Sequence, residues 1–332
     1  MTGGKGILIA HAGADAYLGR LQGRFPGLPL RVCRSAGELE AALAAEGFAP
    51  TVAYSCRTET FTGGEHRRLL ACPSLRWLQV GGSGYDHLAG WEHRAAAGLT
   101  LTNAAGVLAP ALAEAAVGAM LALAFGLPAY LRQQARRQWR KDTWRPLKDR
   151  TLLVVGAGAI GREVGTRAAA LGMRVVGLAR RPSAPPPPGF SEVRPLTSLV
   201  ASLREADVVS LHLRLTPETA GLFGEAAFAA ARPGALFLNS ARGGLVDEAA
   251  LARALADRRL AGAWLDVFAT EPLSLDSPLW DLDNVVLTPH CADQVTDWEE
   301  RLAEFFMDNL DRYLGGGPLL NRIEPEIDLG RQ

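Results

Sequence analysis

Residues 152–165 read LLVVGAGAIGREVG. Gly156, Gly158 and Gly161 form a GxGxxG pattern directly after an apolar run and at the start of a helical one. Each glycine suits a separate task in holding a dinucleotide. The first allows a tight turn, the second lets backbone approach a pyrophosphate, and the third lets helix and strand pack closely. A helix opening at Ala159 and Ile160 would aim unpaired N–H groups and partial positive charge at the phosphates. The pattern alone is weak; with both flanks right it points to dinucleotide binding.

The next apolar run, Arg174–Leu178, sharpens that reading. In an NAD-selective site an acid about 20 residues beyond the glycines bonds the ribose 2′-hydroxyl. Here position 179 is alanine, followed by Arg180 and Arg181. Without a carboxylate there is no repulsion of a 2′-phosphate, and the two arginines could bond it. The expectation is a preference for NADP(H). The plainer alternative is a pair of solvated arginines with NAD accepted.

These groups need a scaffold. Thr151–Val155, Arg174–Leu178, Asp207–Leu211, Ala235–Asn239, Gly262–Asp266 and Val285–Leu287 are apolar without alternation, as strands buried on both faces are. Helical patterns such as Ile160–Leu171 and Glu248–Leu255 fill the gaps. This predicts an α/β fold with a Rossmann-type doubly wound parallel sheet. Gly6–Ala10, Leu30–Cys33, Thr51–Tyr54, Trp77–Val80 and Leu99–Thr102 predict a second, smaller α/β unit, and Asp297–Tyr313 a helical tail. The run Pro185–Pro188 reads as a stiff connector.

Length and composition set limits. The chain has 332 residues, enough for about two domains. Hydrophobic residues make up 48% and charged residues 21%, which predicts a globular core. The formal net charge is zero, which argues against a general nucleic-acid binder. Cys33, Cys56, Cys72 and Cys291 are scattered, so neither a metal site nor a disulfide framework is suggested. The N-terminus carries no long apolar core, so a cytoplasmic location is the default. Ala115–Leu131 is uncharged, but its alanines, glycines and proline favour a helix buried in protein over a membrane span.

Polar residues gather at the ends of three further runs: LNSARGGLVDEAAL (238–251), GAWLDVFATEPL (262–273) and NVVLTPHCAD (284–293). Together with the glycine loop, LRWLQVGGSGYDHL (75–88), TNAAGVLAPALAEAAV (102–117) and ADVVSLHLRLTPET (206–219), this series resembles the D-isomer-specific 2-hydroxyacid dehydrogenase family over nearly the whole chain. The resemblance implies that residues 103–290 form the cofactor domain, inserted into a smaller flavodoxin-like substrate domain of residues 1–102 and 291–332. It implies a cleft between them for the reaction, a small 2-keto or D-2-hydroxy acid as substrate, and a homodimer through the cofactor domain. No nucleic acid, membrane or metal is implied.

The resemblance also implies roles. His290, in a TPH context, matches the catalytic histidine; an imidazole gives and takes protons near neutrality. Glu271 matches the acid that pairs with it, and Arg242 the arginine that holds the substrate's carboxylate or carbonyl. Asp266 matches an acid on the nicotinamide side of the cofactor, or else is a buried turn former. Gly82, Ser83 and Gly84 match a loop whose N–H groups hold the substrate carboxylate. The expected activity is hydride transfer between NADP(H) and a 2-keto acid, in the reductive direction. The alternatives are the same chemistry with NAD(H), or a dinucleotide-binding regulatory protein of this fold.

Some residues depart from the pattern. Arg214 stands where proline is usual, and Cys291 and Asp293 follow the histidine where small or apolar residues are commoner. The basic segment 131–150, with Trp139 and Trp144, reads as a connector or a cationic rim. Arg57, after the third strand, is a candidate for the substrate's far end. Loops 56–61, 82–88 and 139–145 would set substrate choice. His11, His66, His87, His93 and His212 read as structural or exposed.

Overall fold

The structure is a computed structural model that describes residues 6–58, 60–182 and 184–325. Residues 1–5, residue 59 within the 56–61 loop, residue 183 and residues 326–332 lie outside the described residues. The chain divides into two compact units, one of residues 1–108 with 296–332 and one of residues 109–295. Both junctions fall a few residues later than expected from the sequence, the first at the start of a helix.

In the first unit the chain runs through β1 (Gly6–Ala10), α1 (Asp15–Arg24), β2 (Leu30–Cys33), α2 (Ala36–Ala44), β3 (Pro50–Ser55) and α3 (Gly63–His66). It continues through β4 (Trp77–Val80), α4 (Trp91–Ala96) and β5 (Thr100–Thr102). The second unit holds α5 (Ala109–Phe125), α6 (Leu127–Ala135), β6 (Thr151–Val155), α7 (Ala159–Ala170), β7 (Arg174–Ala179) and β8 (Glu192–Pro195). Then come α8 (Leu199–Glu205), β9 (Val208–Leu211), α9 (Glu225–Ala230), β10 (Ala235–Asn239), α10 (Glu248–Ala256), β11 (Leu260–Leu265) and β12 (Val285–Leu287). The chain returns to the first unit with α11 (Trp298–Leu314) and β13 (Arg322–Ile323).

The second unit carries a seven-stranded sheet in the order β12-β11-β10-β9-β6-β7-β8. Every pairing in it is parallel. This is the doubly wound order, with its reversal between β6 and β9. Both faces are apolar. Val209, Leu211 and Phe237 pack with Phe223 and Phe228 on one side. Leu152, Val154, Leu238 and Trp264 pack with Ala113, Ala116, Met120 and Val164 from α5 and α7 on the other. The first unit has the order β13-β5-β4-β3-β1-β2, parallel except for β13. That is the flavodoxin-like order with one added strand.

The returning helix α11 belongs to this smaller core. Leu302, Ala303, Phe306, Met307 and Leu310 share its buried face. Phe306 stacks on Tyr54 at 4.7 Å between ring centroids and lies 5.5 Å from Trp77. Buried Asn309 donates to Gln79 at 2.9 Å and Thr102 donates to Gln79 at 2.7 Å, so one amide oxygen joins β4, β5 and α11.

Two expectations are corrected. The larger sheet has a seventh strand, β8, and the smaller one gains β13; both are short and charged, as edge strands often are. The uncharged stretch 115–131 is not one buried helix. Gly126, at φ +78, ends α5 and α6 leaves at 66°. Ala113, Ala116 and Met120 are buried, but Leu121, Phe125, Leu127 and Leu131 are exposed. No single helix among the described residues is long and apolar enough to cross a membrane; only the bent α5–α6 pair passes by length and composition together.

Candidate active site

The glycine loop lies between the C-terminal end of β6 and α7. Gly156 has φ +108, and a Cβ there would come within 2.5 Å of the His212 carbonyl oxygen at the end of β9. Only glycine takes that turn at the sheet's reversal point. A Cβ on Gly161 would meet the Gly156 carbonyl oxygen at 2.1 Å, so the helix seats directly on the turn. Gly158 differs from both: nothing lies within 4 Å of its Cβ position. That open face stands beside the first-turn N–H groups of Ala159, Ile160 and Gly161, which a helix leaves without internal partners. The loop therefore fits a pyrophosphate. Arg162, which the motif alone did not single out, donates to the Ala157 carbonyl at 3.1 Å and keeps a cation at this loop.

β7 ends at Ala179, and Arg180 and Arg181 beyond it are exposed. Sequence reading missed a neighbour. The Glu218 carboxyl is held below the usual carboxylate range, first by a hydrogen bond to Thr216 and in smaller part by the field of Arg180. An acid from the loop after β9 thus lies within electrostatic reach of Arg180.

Arg242, Glu271 and His290 follow β10, β11 and β12, three neighbours in the sheet. Buried Asn239 shapes the first turn: it accepts from Ala241 N–H at 3.0 Å and donates to the Arg242 carbonyl at 3.0 Å. Half-buried Arg242 donates one guanidinium N–H to Ala241 O at 2.7 Å. A Cβ at Gly243 would lie 1.9 Å from the Phe268 carbonyl carbon, so the turn after β10 presses onto the one after β11. Glu271 binds both ways: Oε1 accepts from Phe268 N–H at 3.0 Å, and Oε2 pairs with His290 Nδ1 at 2.8 Å. The expected acid–imidazole pair is therefore formed, and Arg242 is brought to the same loop cluster.

His290 itself has φ +50, in the left-handed region that few residues other than glycine adopt. Such a backbone persists only where its surroundings over-determine it, and Asp266 supplies the constraint. Its buried carboxylate accepts the Thr288 hydroxyl at 2.6 Å and Cys291 N–H at 3.0 Å on Oδ1, and Ala292 N–H at 3.1 Å on Oδ2. Trp264 Nε1 donates to the Thr288 hydroxyl at 3.0 Å. Asp266 thus brackets the turn that carries His290.

In the first unit, Gly82, Ser83 and Gly84 follow β4 at the C-terminal edge of its sheet. Asn103 holds the loop by donating to Ser83 O at 2.7 Å. Cys33, Cys56 and Cys72 are buried and Cys291 is exposed. Among the described residues no group of three or more His, Cys, Asp or Glu side chains is placed to hold a metal.

Residues 117–292 match the family model of the D-isomer specific 2-hydroxyacid dehydrogenase NAD binding domain. A D-3-phosphoglycerate dehydrogenase from Mycobacterium tuberculosis is 36% identical over 279 residues, covering 80% of this chain and 52% of that protein. The chain thus spans about half the length of that relative. A glyoxylate reductase from Korarchaeum cryptofilum is 36% identical over 266 residues, 77% of this chain and 78% of that one. The crystal structure of a D-isomer specific 2-hydroxyacid dehydrogenase from Xanthobacter autotrophicus, in complex with NADPH and MES, superimposes with a TM-score of 0.78. It is 29% identical and the match covers 97% of this chain and 98% of that one. The doubly wound sheet, its glycine loop and these likenesses agree: the chain belongs to the D-isomer specific 2-hydroxyacid dehydrogenase family.

Proposed function

We propose that this chain reduces small 2-keto acids to D-2-hydroxy acids, with NADP(H) preferred over NAD(H). The observation that carries the reading is the 2.8 Å pairing of Glu271 with His290, at strand ends next to the one that presents Arg242. A nicotinamide dinucleotide, when bound, supplies the hydride. Gly158 and the α7 N-terminus are the residues that would hold its pyrophosphate. His290 Nδ1–H donates to Glu271, which leaves Nε2 to give a proton to the substrate oxygen. Arg242 offers a planar fork to the carboxylate and the polarised carbonyl. Asp266 keeps the histidine turn in place.

Arg180 and Arg181, with no acid at position 179, support NADP(H), and the Xanthobacter relative was crystallised with NADPH. Glu218 beside Arg180 favours the alternative with NAD(H), because its charge opposes a 2′-phosphate. The exposed Leu121, Phe125, Leu127, Leu131 and Trp144 support association of two copies through α5 and α6.

The test is a nucleotide-oxidation screen over glyoxylate, hydroxypyruvate, pyruvate and bulkier 2-keto acids, with both cofactors. Turnover of at least one is expected. His290→Ala should lower kcat by about 100- to 10,000-fold while leaving NADPH affinity nearly intact. Comparable turnover in the mutant sinks the assignment.

A further inference from the structure

The turn that carries Glu271 leaves the core abruptly. Phe268 is buried, and Ala269, Thr270 and Glu271 after it are exposed. Among the described residues none of these three makes a backbone–backbone hydrogen bond. Two carboxylates supply what the backbone does not. Glu271 takes Phe268 N–H on its own Oε1 at 3.0 Å, and the next N–H, of Ala269, goes to Glu248 Oε1 at 2.6 Å. A short bond from an N–H to an ionised acid is of the stronger, charge-assisted kind. It ties the Glu271 turn to the first residue of α10.

Half-buried Glu248 stands on a fixed base. Asp247 caps α10 by accepting Ala250 N–H at 3.0 Å, which starts the helix at Glu248. Side chains in a helix lean toward its N-terminus, so this one is carried back over the turn that follows β10. The backbone beneath it is pinned from a separate segment. Gly244 O accepts from Gly221 N–H at 2.9 Å, Leu245 O accepts from Phe223 N–H at 3.0 Å, and Asp247 N–H donates to Phe223 O at 3.1 Å. A Cβ at Gly243 would come within 2.2 Å of Ala269 N, so the two turns are already in contact where Glu248 joins them. Meeting the partial positive charge of the helix end would require no partner. The bond to Ala269, 21 residues further on, goes beyond that task.

We propose that Glu248 is a positioning residue of the active site: by holding Ala269 it keeps Glu271 aimed at His290. Its hydrogen bond goes to the turn and not to either side chain, so it acts through Glu271. The Arg242 turn does not depend on it, because Asn239 and residues 221–223 hold that turn separately. Loss of Glu248 therefore slows the proton transfer that His290 performs and spares substrate binding. The proposal rests on the oxidoreductase reading above and deepens it.

The experiment compares Glu248→Leu and Glu248→Gln in the whole chain, each with and without Glu271→Gln. Leucine removes the acceptor; glutamine keeps an oxygen of the same reach. On whichever 2-keto acid the wild type reduces fastest, Glu248→Leu should lower kcat about 5- to 30-fold and leave the KM values for acid and nucleotide within about 3-fold of wild type. Glu248→Gln should recover most of that loss. In the Glu271→Gln background, adding Glu248→Leu should cost less than about 2-fold, since the side chain through which it acts is already changed. Losses that multiply in the double variant, glutamine no better than leucine, or a kcat in Glu248→Leu within about 2-fold of wild type each overturn the proposal. Nitrogen NMR of the His290 ring, assigned by its loss in His290→Ala, reads the same geometry without turnover. In Glu248→Leu the Nδ1 signal should move toward its position in Glu271→Gln, and in Glu248→Gln it should stay. An unmoved signal in Glu248→Leu overturns the proposal whether or not any acid is turned over. A moved signal in a chain whose wild type reduces no 2-keto acid sinks the oxidoreductase reading and leaves the Glu248 tie standing.

Discussion

Asp266 receives the Thr288 hydroxyl at 2.6 Å inside the protein, and through that bond the end of β11 fixes the turn that carries His290. The same carboxylate takes the N–H groups of Cys291 and Ala292. In Asp266→Asn, an amide NH2 must face one of these donors. A buried donor left without an acceptor costs about 1–3 kcal/mol. The expected result is a lower melting temperature and a kcat reduced about tenfold or more, with NADPH affinity within about 3-fold of wild type. Thr288→Val should move kcat in the same direction, because it removes only the hydroxyl. A large loss of nucleotide affinity in Asp266→Asn, with kcat preserved, would favour the cofactor role that the family resemblance implies for Asp266.

The proposed preference for NADP(H) sets two cations against one acid. Arg180 and Arg181 stand exposed past β7, and Glu218 lies within the field of Arg180. Charge-assisted bonds to a 2′-phosphate are each worth roughly 1.5–3 kcal/mol. Arg180→Ala should therefore cut the NADPH-over-NADH ratio in kcat/KM by about 10- to 100-fold. Glu218→Gln should raise it several-fold, and added salt should shrink both effects. A wild type that uses NADH at least as well, with a ratio insensitive to all three changes, would show that the arginines are only solvated.

Much of this was legible in the sequence, and the reasons are physical. Strands such as Thr151–Val155 are buried on both faces, so they read as unbroken apolar runs. The charged edge strands β8 and β13 carry no such signal. Gly126 and Pro128 marked a possible break, but the stretch stays uncharged across them and so read as one helix, while the exposure of Leu131 depends on where α6 points. His290 and Glu271 could be named from their motifs, but the pairing of their side chains is a distance, and no spacing prints it. Asp266 shows the limit best. Its place at a strand end suggested a site residue; that its carboxylate holds the turn across from β12 follows only from the parallel pairing of β11 with β12.

The apolar face of α5 and α6 gives a prediction about assembly. Phe125 lies 5.4 Å from both the Tyr130 and Trp144 rings, and Leu121, Leu127 and Leu131 are exposed nearby on the same two helices. The proposed dimer would cover this apolar surface. Sedimentation equilibrium should give twice the chain mass for the wild type. Leu131→Glu, which places a charge on that face, should shift the balance toward a single chain without loss of secondary structure. A wild-type single chain at tens of micromolar concentration would dismiss the dimer.

Acid should destabilise the fold through three histidines whose side chains the proposed chemistry does not use. Burial chiefly pushes His11, His66 and His212 each down to about 4 from 6.5. Between those values the unfolded chain binds the proton and the folded one does not, so stability falls as pH drops through this window and is complete above it. At pH 5 the loss relative to pH 7.5 is on the order of 2 kcal/mol per histidine. The urea midpoint should therefore fall steadily from pH 7 to pH 5. His66→Asn should flatten roughly a third of that slope, since it leaves His11 and His212 with the same shift. A midpoint flat over this range in the wild type would mean that these rings are hydrated in solution and titrate like those of the unfolded chain.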